Sequence, residues 1–214
     1  MTDFHCIEGR AASLPIENLD TDQIMPKQFL RGIDKSGLKE GLLYDLRFDP
    51  AGRPYPDFVL NRPEYAEVSV LVGGSNFGCG SSREHAVWGL LQYGIRAVVA
   101  PSFAEIFFSN AMNNRLLLIT LPPDAMDRLA EDASDPSRNA VKIDVMAQTI
   151  RSRGLDARFD MVPRHRKMFL EGLDNIGLSL TYQDQVRDFA AAHWRRQPWL
   201  KDVAALTRER LSRG

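Results

Sequence analysis

The sequence predicts an α/β fold on three observations. An apolar run, Val68-Ser69-Val70-Leu71-Val72, enters a glycine-rich loop; a helix-forming segment follows that loop directly; and strand-type and helix-type segments then alternate as far as residue 133. β-Branched runs alternating with helical patterns mark a parallel-sheet architecture. In chain order, residues 14–30 mix Asn18, Asp20, Asp22 and Pro26 with apolar positions and predict a strand or turn leading into a short helix. Residues 31–66 hold Gly32, Gly37, Gly41, Pro50, Gly52, Pro54, Pro56 and Pro63 with little periodicity, which predicts a loop-rich excursion over the surface. Residues 68–72 are read as a strand and 83–93 as a helix, with Ala86, Leu90 and Tyr93 at helical spacing and Gly94 at its C-terminal cap. A buried strand over 95–100, a helix over 102–113, a strand over 116–121 and a helix over 124–133 come next. Short antiparallel strands are expected at 141–145, 149–153 and 157–160, and a helical C-terminal region at 163–211. No repeat or low-complexity tract divides the chain, so a single domain over 1–214 is expected.

Composition narrows the function. Of 214 residues, 27 are Lys or Arg and 28 are Asp or Glu, a formal net charge of −1, with 44% hydrophobic residues. That is a globular chain and not a disordered one. Near-neutral charge without a basic stripe counts against nucleic acid and anionic membrane as partners. An anionic ligand must then be held by a few placed cations and backbone amides. The two cysteines, Cys6 and Cys79, exclude a disulfide scaffold, a cysteine-rich zinc site and a self-contained four-cysteine cluster. With no basic-then-apolar leader and no run of about 20 apolar residues, a cytoplasmic, thiol-reduced protein is expected.

Chemistry concentrates in the loop from Gly73 to Ser82 and the helix start after it. A dinucleotide fingerprint needs glycine where Arg83 stands, a phosphate loop needs Gly-Lys-Ser/Thr, and a nucleophile elbow needs a second glycine that is missing. What remains is Ser81-Ser82-Arg83-Glu84-His85 at a helix N-terminus. Unpaired N–H groups, a partial positive charge, two hydroxyls and a guanidinium make a receptor for a carboxylate or phosphate. The competing reading is that Ser81 or Ser82 only caps the helix, with Glu84 favouring its first turn. In the second cluster, Asn18 to Ile24 with Lys27, the acids Asp20 and Asp22 are metal ligands or helix caps. The lack of a third ligand nearby favours capping. Lys27 reads as a solvated lysine or an anion contact. His5, His85, His165 and His193 lack metal-site spacing; His85, beside the loop, suits a supporting hydrogen bond. Phe103, Ile106 and Phe107 read as a core face.

The run from Asn18 to Leu30 (NLDTDQIMPKQFL) and that from Asn76 to Ala86 (NFGCGSSREHA) together resemble the small subunits of the 3-isopropylmalate dehydratase family, in the aconitase superfamily. Ala100-Pro101-Ser102-Phe103-Ala104-Glu105-Ile106-Phe107 and Gly172-Leu173-Asp174-Asn175-Ile176-Gly177-Leu178 fit the same pattern, and the likeness runs from about residue 7 to 200. The resemblance implies a swivelling β/β/α domain, like the aconitase C-terminal domain, with additional C-terminal helices. It implies closure over a large subunit carrying a four-iron cluster, and the dehydration and rehydration that interconvert 2- and 3-isopropylmalate in leucine biosynthesis. In that chemistry iron draws off a hydroxyl while a base removes a proton α to a carboxylate.

By motif match, Ser81 is the base, acting as an alkoxide that the helix N-terminus and Arg83 would stabilise. Asp22 matches an active-site acid. Ser82 and Arg83 would hold a substrate carboxylate, Lys27 a second one, and Glu84 and His85 would support them. Cys79 is not a cluster ligand in the family, and no metal is expected on this chain. Val87 departs from the family, where many members have proline. Arg31 is a candidate specificity residue: it would serve a third carboxylate in a homoaconitate-type enzyme. The alternatives are therefore a citraconate, methylmalate or homoaconitate hydratase small subunit, or a non-catalytic anion- or RNA-binding module.

Overall fold

A computed structural model of the chain describes residues 5–30 and 36–213; Arg31 lies outside the described residues. Two compact units divide the chain after Asp174. The first opens with β1 (Cys6–Leu14), the four-residue α1 (Thr21–Ile24) and the equally short α2 (Tyr44–Arg47). It continues as β2 (Val68–Gly73), α3 (Glu84–Tyr93), β3 (Ala97–Val99), α4 (Glu105–Asn113), β4 (Leu117–Ile119) and α5 (Pro123–Ser134). β5 (Ala140–Asp144), β6 (Thr149–Arg151), β7 (Asp156–Arg158) and α6 (Pro163–Glu171) complete it. The predicted alternation after residue 67 is therefore present, with ends shifted by at most three residues.

Among the described residues these strands form one seven-stranded sheet in the order β4-β3-β2-β1-β5-β6-β7. The half from β1 to β4 is parallel, and β5, β6 and β7 add on antiparallel. β1 is the seam: residues 6–10 pair with β5, residues 10–14 pair with β2, and the register to β2 shifts between Arg10 and Ala11. Sequence reading did not find this strand, because Glu8-Gly9-Arg10 interrupts its alternation and Ile7 is its one β-branched residue. A Cβ at Gly9 would meet Ser69 Oγ on the neighbouring strand at 2.0 Å, so a larger residue there would require that hydroxyl to turn away.

The two faces of the sheet bury separate clusters at the strand period of two. Leu71, Val98 and Leu118 pack with Ala86, Val87 and Leu90 of α3 and Phe107 and Ala111 of α4. Val70, Val72, Val99 and Ile119 face the other way, onto Met126, Leu129 and Ala133 of α5. Val87, the departure from the family proline, is fully buried in an unbroken helix. Residues 36–66 are more than a surface excursion. They bury Leu38, Leu42, Leu43, Leu60 and Tyr65 in the first cluster, although their irregular spacing shows no period. Phe107 is core as expected, whereas Ile106 is 54% exposed because α4 turns Phe107, Ala111 and Met112 inward.

The second unit consists of α7 (Asn175–Leu180), α8 (Gln183–Arg196) and α9 (Val203–Ser212), the helical end that the sequence predicts. Among the described residues no helix is long and apolar enough to cross a membrane.

Candidate active site

The connections after β1, β2 and β3 all leave the carboxyl edge of the parallel strands, where open α/β sheets bind ligands. Backbone hydrogen bonds lace them together. The N–H of Asn18 donates to Ser75 O (2.8 Å), that of Gly78 to Leu19 O (2.8 Å), and that of Thr21 to Cys79 O (2.9 Å). Phe77 N–H donates to Ser102 O at 3.1 Å, and Ala104 N–H returns to Phe77 O at 3.0 Å. Side chains add to the lacing: Asn76 Nδ2 donates to Asn18 Oδ1 (2.8 Å), Asn76 N–H to Ser102 Oγ (2.8 Å), and Cys79 Sγ–H to Asn18 O (3.2 Å). The glycine loop bends through left-handed backbone at Gly78 (φ 78°), where a Cβ would sit 2.2 Å from the Phe107 ring. Only glycine fits that bend.

α3 begins without a side-chain cap. Its N-cap position is Arg83 (φ −87°, ψ 108°), and no side chain accepts from the first turn among the described residues. Ser81 and Ser82 therefore do not cap the helix; both stand exposed just before it. The free N–H groups leave partial positive charge at that end. Glu84 accepts from Asn114 Nδ2 (2.5 Å), and Asn114 Oδ1 accepts from Trp88 Nε1 (3.0 Å), which pins the start of α3 to the end of α4. His85 packs on the Trp88 ring at 4.6 Å between centroids.

α1, by contrast, is fully capped. Asp20 Oδ1 accepts from Gln23 N–H (2.7 Å) and Gln23 Oε1 accepts from Asp20 N–H (3.1 Å), a reciprocal capping box. Capping thus accounts for Asp20 and leaves Asp22 available. Asp22 Oδ1 lies 2.6 Å from Arg83 Nη1, with the two side chains 45% and 17% exposed. Both atoms are buried, and neither has an aligned hydrogen bond among the described residues, so the contact is an ion pair of poor angular geometry. Lys27 is exposed at the start of the 3₁₀ turn Lys27–Phe29 and makes no ion pair among the described residues. No group of three or more His, Cys, Asp and Glu suited to a metal occurs among the described residues.

Two distant segments thus place Asp22, Ser81, Ser82 and Arg83 at one edge, and leave Lys27 outside the contact. Sequence reading passed over Thr21. It is 2% exposed, and its Oγ1 donates to Ser81 O at 2.8 Å. Asn18 (φ 54°) and Asn76 (φ 55°) were also unassigned, although asparagine is the residue type that tolerates this backbone. The arrangement presents a guanidinium, two hydroxyls and a free helix N-terminus to a carboxylate.

The aconitase C-terminal domain family matches residues 1–124. The 3-isopropylmalate dehydratase small subunit 1 of Chromobacterium violaceum is 62% identical over 212 residues, covering 99% of this chain and 100% of that protein. The small subunit of the same enzyme from Phenylobacterium zucineum is 46% identical over 94% of this chain and 99% of its own length. Among solved structures, the 3-isopropylmalate dehydratase of Methanocaldococcus jannaschii superposes with a TM-score of 0.61 at 29% identity, covering 86% of this chain and 98% of that one.

Proposed function

The chain belongs to the aconitase C-terminal domain family, among the small subunits of the hydro-lyase 3-isopropylmalate dehydratase, and from that membership we propose how its residues serve the reaction. The substrate is isopropylmalate, in the cytoplasmic synthesis of leucine; relatives named for that substrate disfavour the citraconate, methylmalate and homoaconitate readings and the non-catalytic one. The observation that carries the proposal is Arg83, held 2.6 Å from Asp22 beside two exposed serines at an uncapped helix N-terminus.

Arg83 and the Ser82 hydroxyl bind a substrate carboxylate, the guanidinium offering the two-point fork that carboxylates fit. Asp22 orients Arg83 by charge. Ser81, as its alkoxide, takes the proton from the carbon α to a carboxylate and is left as the neutral hydroxyl. The substrate hydroxyl departs as hydroxide. On rehydration hydroxide adds to the carbon that gave up the proton, and Ser81 returns its proton to the carbon that lost the hydroxyl, which regenerates the alkoxide. A serine hydroxyl is a weak acid, so the free N–H groups of α3 and the Arg83 charge must stabilise the oxyanion. Lys27, exposed on the connection that also carries Asp22, reaches a second carboxylate when the site is complete. Glu84 and His85 hold the α3 terminus in place through Asn114 and Trp88.

This chain does not fit a four-iron cluster. Its two cysteines are Cys6, on β1, and Cys79, whose thiol is engaged by Asn18 O. We assign the cluster, which supplies the Lewis acid for the departing hydroxyl, to the large subunit. The test is reconstitution. The isolated chain is expected to be inactive and to gain isopropylmalate turnover with its large subunit; full activity alone overturns the proposal. In the reconstituted pair, Ser81→Ala is expected to lower kcat by about 10²–10⁴-fold while subunit assembly persists.

A further inference from the structure

We infer that Thr21 is the positioning residue for Ser81: its buried hydroxyl fixes the peptide that carries the base. The inference rests on the reading of Ser81 given above. The Ser81 carbonyl accepts two hydrogen bonds, from Arg83 N–H at 2.7 Å and from Thr21 Oγ1 at 2.8 Å across a separation of 60 residues. The Thr21 N–H meanwhile donates to Cys79 O at 2.9 Å. One residue therefore grips the loop on both sides of Gly80, a left-handed glycine joint (φ 90°).

The neighbouring side chain extends the grip. Asp22 meets Arg83 at 2.6 Å, so the first turn of α1 holds the loop at residues 79, 81 and 83. The capping box of Asp20 and Gln23 stiffens that turn, and Thr21 itself is 2% exposed, so its hydroxyl has little freedom to choose another partner. The Ser81 side chain, by contrast, is exposed and has no hydrogen bond of its own among the described residues. The direction of its Oγ thus depends on the backbone beneath it. A base must meet its proton within hydrogen-bond reach, and a displacement near 1 Å can cost about 100-fold in rate. Arg83 keeps its own contact with Asp22 when the Thr21 hydroxyl is lost, so that loss should strike the proton step more than binding.

The experiment uses the reconstituted two-subunit enzyme and steady-state kinetics with isopropylmalate. Thr21→Val, which keeps the shape and removes the hydroxyl, is expected to lower kcat about 10–100-fold with KM within about threefold. Thr21→Ser, which keeps the donor, is expected to restore kcat to within about threefold of the parent. Thr21→Ala is the second hydroxyl-free variant should Thr21→Val not assemble, with the same split expected. Melting temperature and subunit affinity are read alongside. Unchanged kcat in Thr21→Val overturns the inference. So does equal loss in Thr21→Val and Thr21→Ser, and so does a rise in KM that tracks a fall in melting temperature, since either marks a purely structural role. Ser81→Ala separates the two levels. If it abolishes turnover while Thr21→Val is fully active, only the clamp fails. If it retains turnover, the reading of Ser81 fails, and the clamp with it.

Discussion

Arg83 reaches Asp22 from the N-cap position of α3, with 17% of its side chain exposed, so its guanidinium is largely preset. A lysine there would keep the charge and lose the fork. Arg83→Lys is expected to raise KM about 10–100-fold with a smaller change in kcat, as measured by initial rates on the reconstituted enzyme. Ser81, Ser82 and Arg83 were legible because they adjoin one another in a motif that physical reading already marks as an anion receptor. Asp22 became legible only with the family likeness, and its ion pair only with the structure. Thr21 was not legible at all, because nothing in Asp20-Thr21-Asp22 tells that a hydroxyl meets a carbonyl 60 residues on. Gly78 stands between these cases. Its place in the loop marked it, but the Phe107 ring 2.2 Å from its absent Cβ did not show in sequence. Gly78→Ala should cost about 2–4 kcal/mol in left-handed strain and overpacking, read as a lower urea midpoint.

Elements carry the next level of explanation. The helices from 84 to 134 were readable because each buries one regular face, and β2 to β4 because they are short apolar runs buried on both faces. β1 was not, since its small and interrupted residues become a strand only when β2 and β5 pair on both its sides. The end of α5 shows a similar dependence. Asp132, fully buried, accepts from Arg138 Nε (2.9 Å), Ser152 Oγ (2.6 Å) and Gly154 N–H (2.6 Å), tying the helix to the β6–β7 turn. Burial pushes this carboxyl up, and the hydrogen bonds outweigh that and hold it below the usual carboxylate range. Asp132→Ala leaves the Ser152 hydroxyl and the Gly154 N–H without their acceptor and Arg138 with Glu131 alone, and should cost about 3 kcal/mol. A fall in melting temperature of roughly 6–12 °C is expected by calorimetry.

At the scale of the molecule, acid should weaken the fold in two pH windows. His165, against the Phe108 ring, is held below the ordinary imidazole range by burial and then by Arg164. A depressed folded value gives stability that is full above about pH 6.5 and lost as pH falls through the folded value. Asp49, lowered by the Arg53 N–H, Asp135, lowered by the Ser137 N–H, and Asp132 follow the same sign in a lower window. Their contribution is present above about pH 4 and lost below it. Urea unfolding at pH 8, 5.5 and 3.5 should show a small loss first and a steep one second; stability that rises on acidification would contradict both assignments.

By itself, the sequence determined the α/β alternation, the helical end, the anion-receptor motif and, by likeness, the family and its reaction. These depend on local periodicity and on residues adjacent in the chain. The tertiary structure alone decided that β1 joins a parallel half-sheet to an antiparallel one, that neither serine caps α3, and that the first turn of α1 grips the loop at residues 79, 81 and 83. The physical reason is that a hydrogen bond or ion pair between distant segments leaves no period in either one. Its geometry exists only once the sheet has brought the two loops to the same edge.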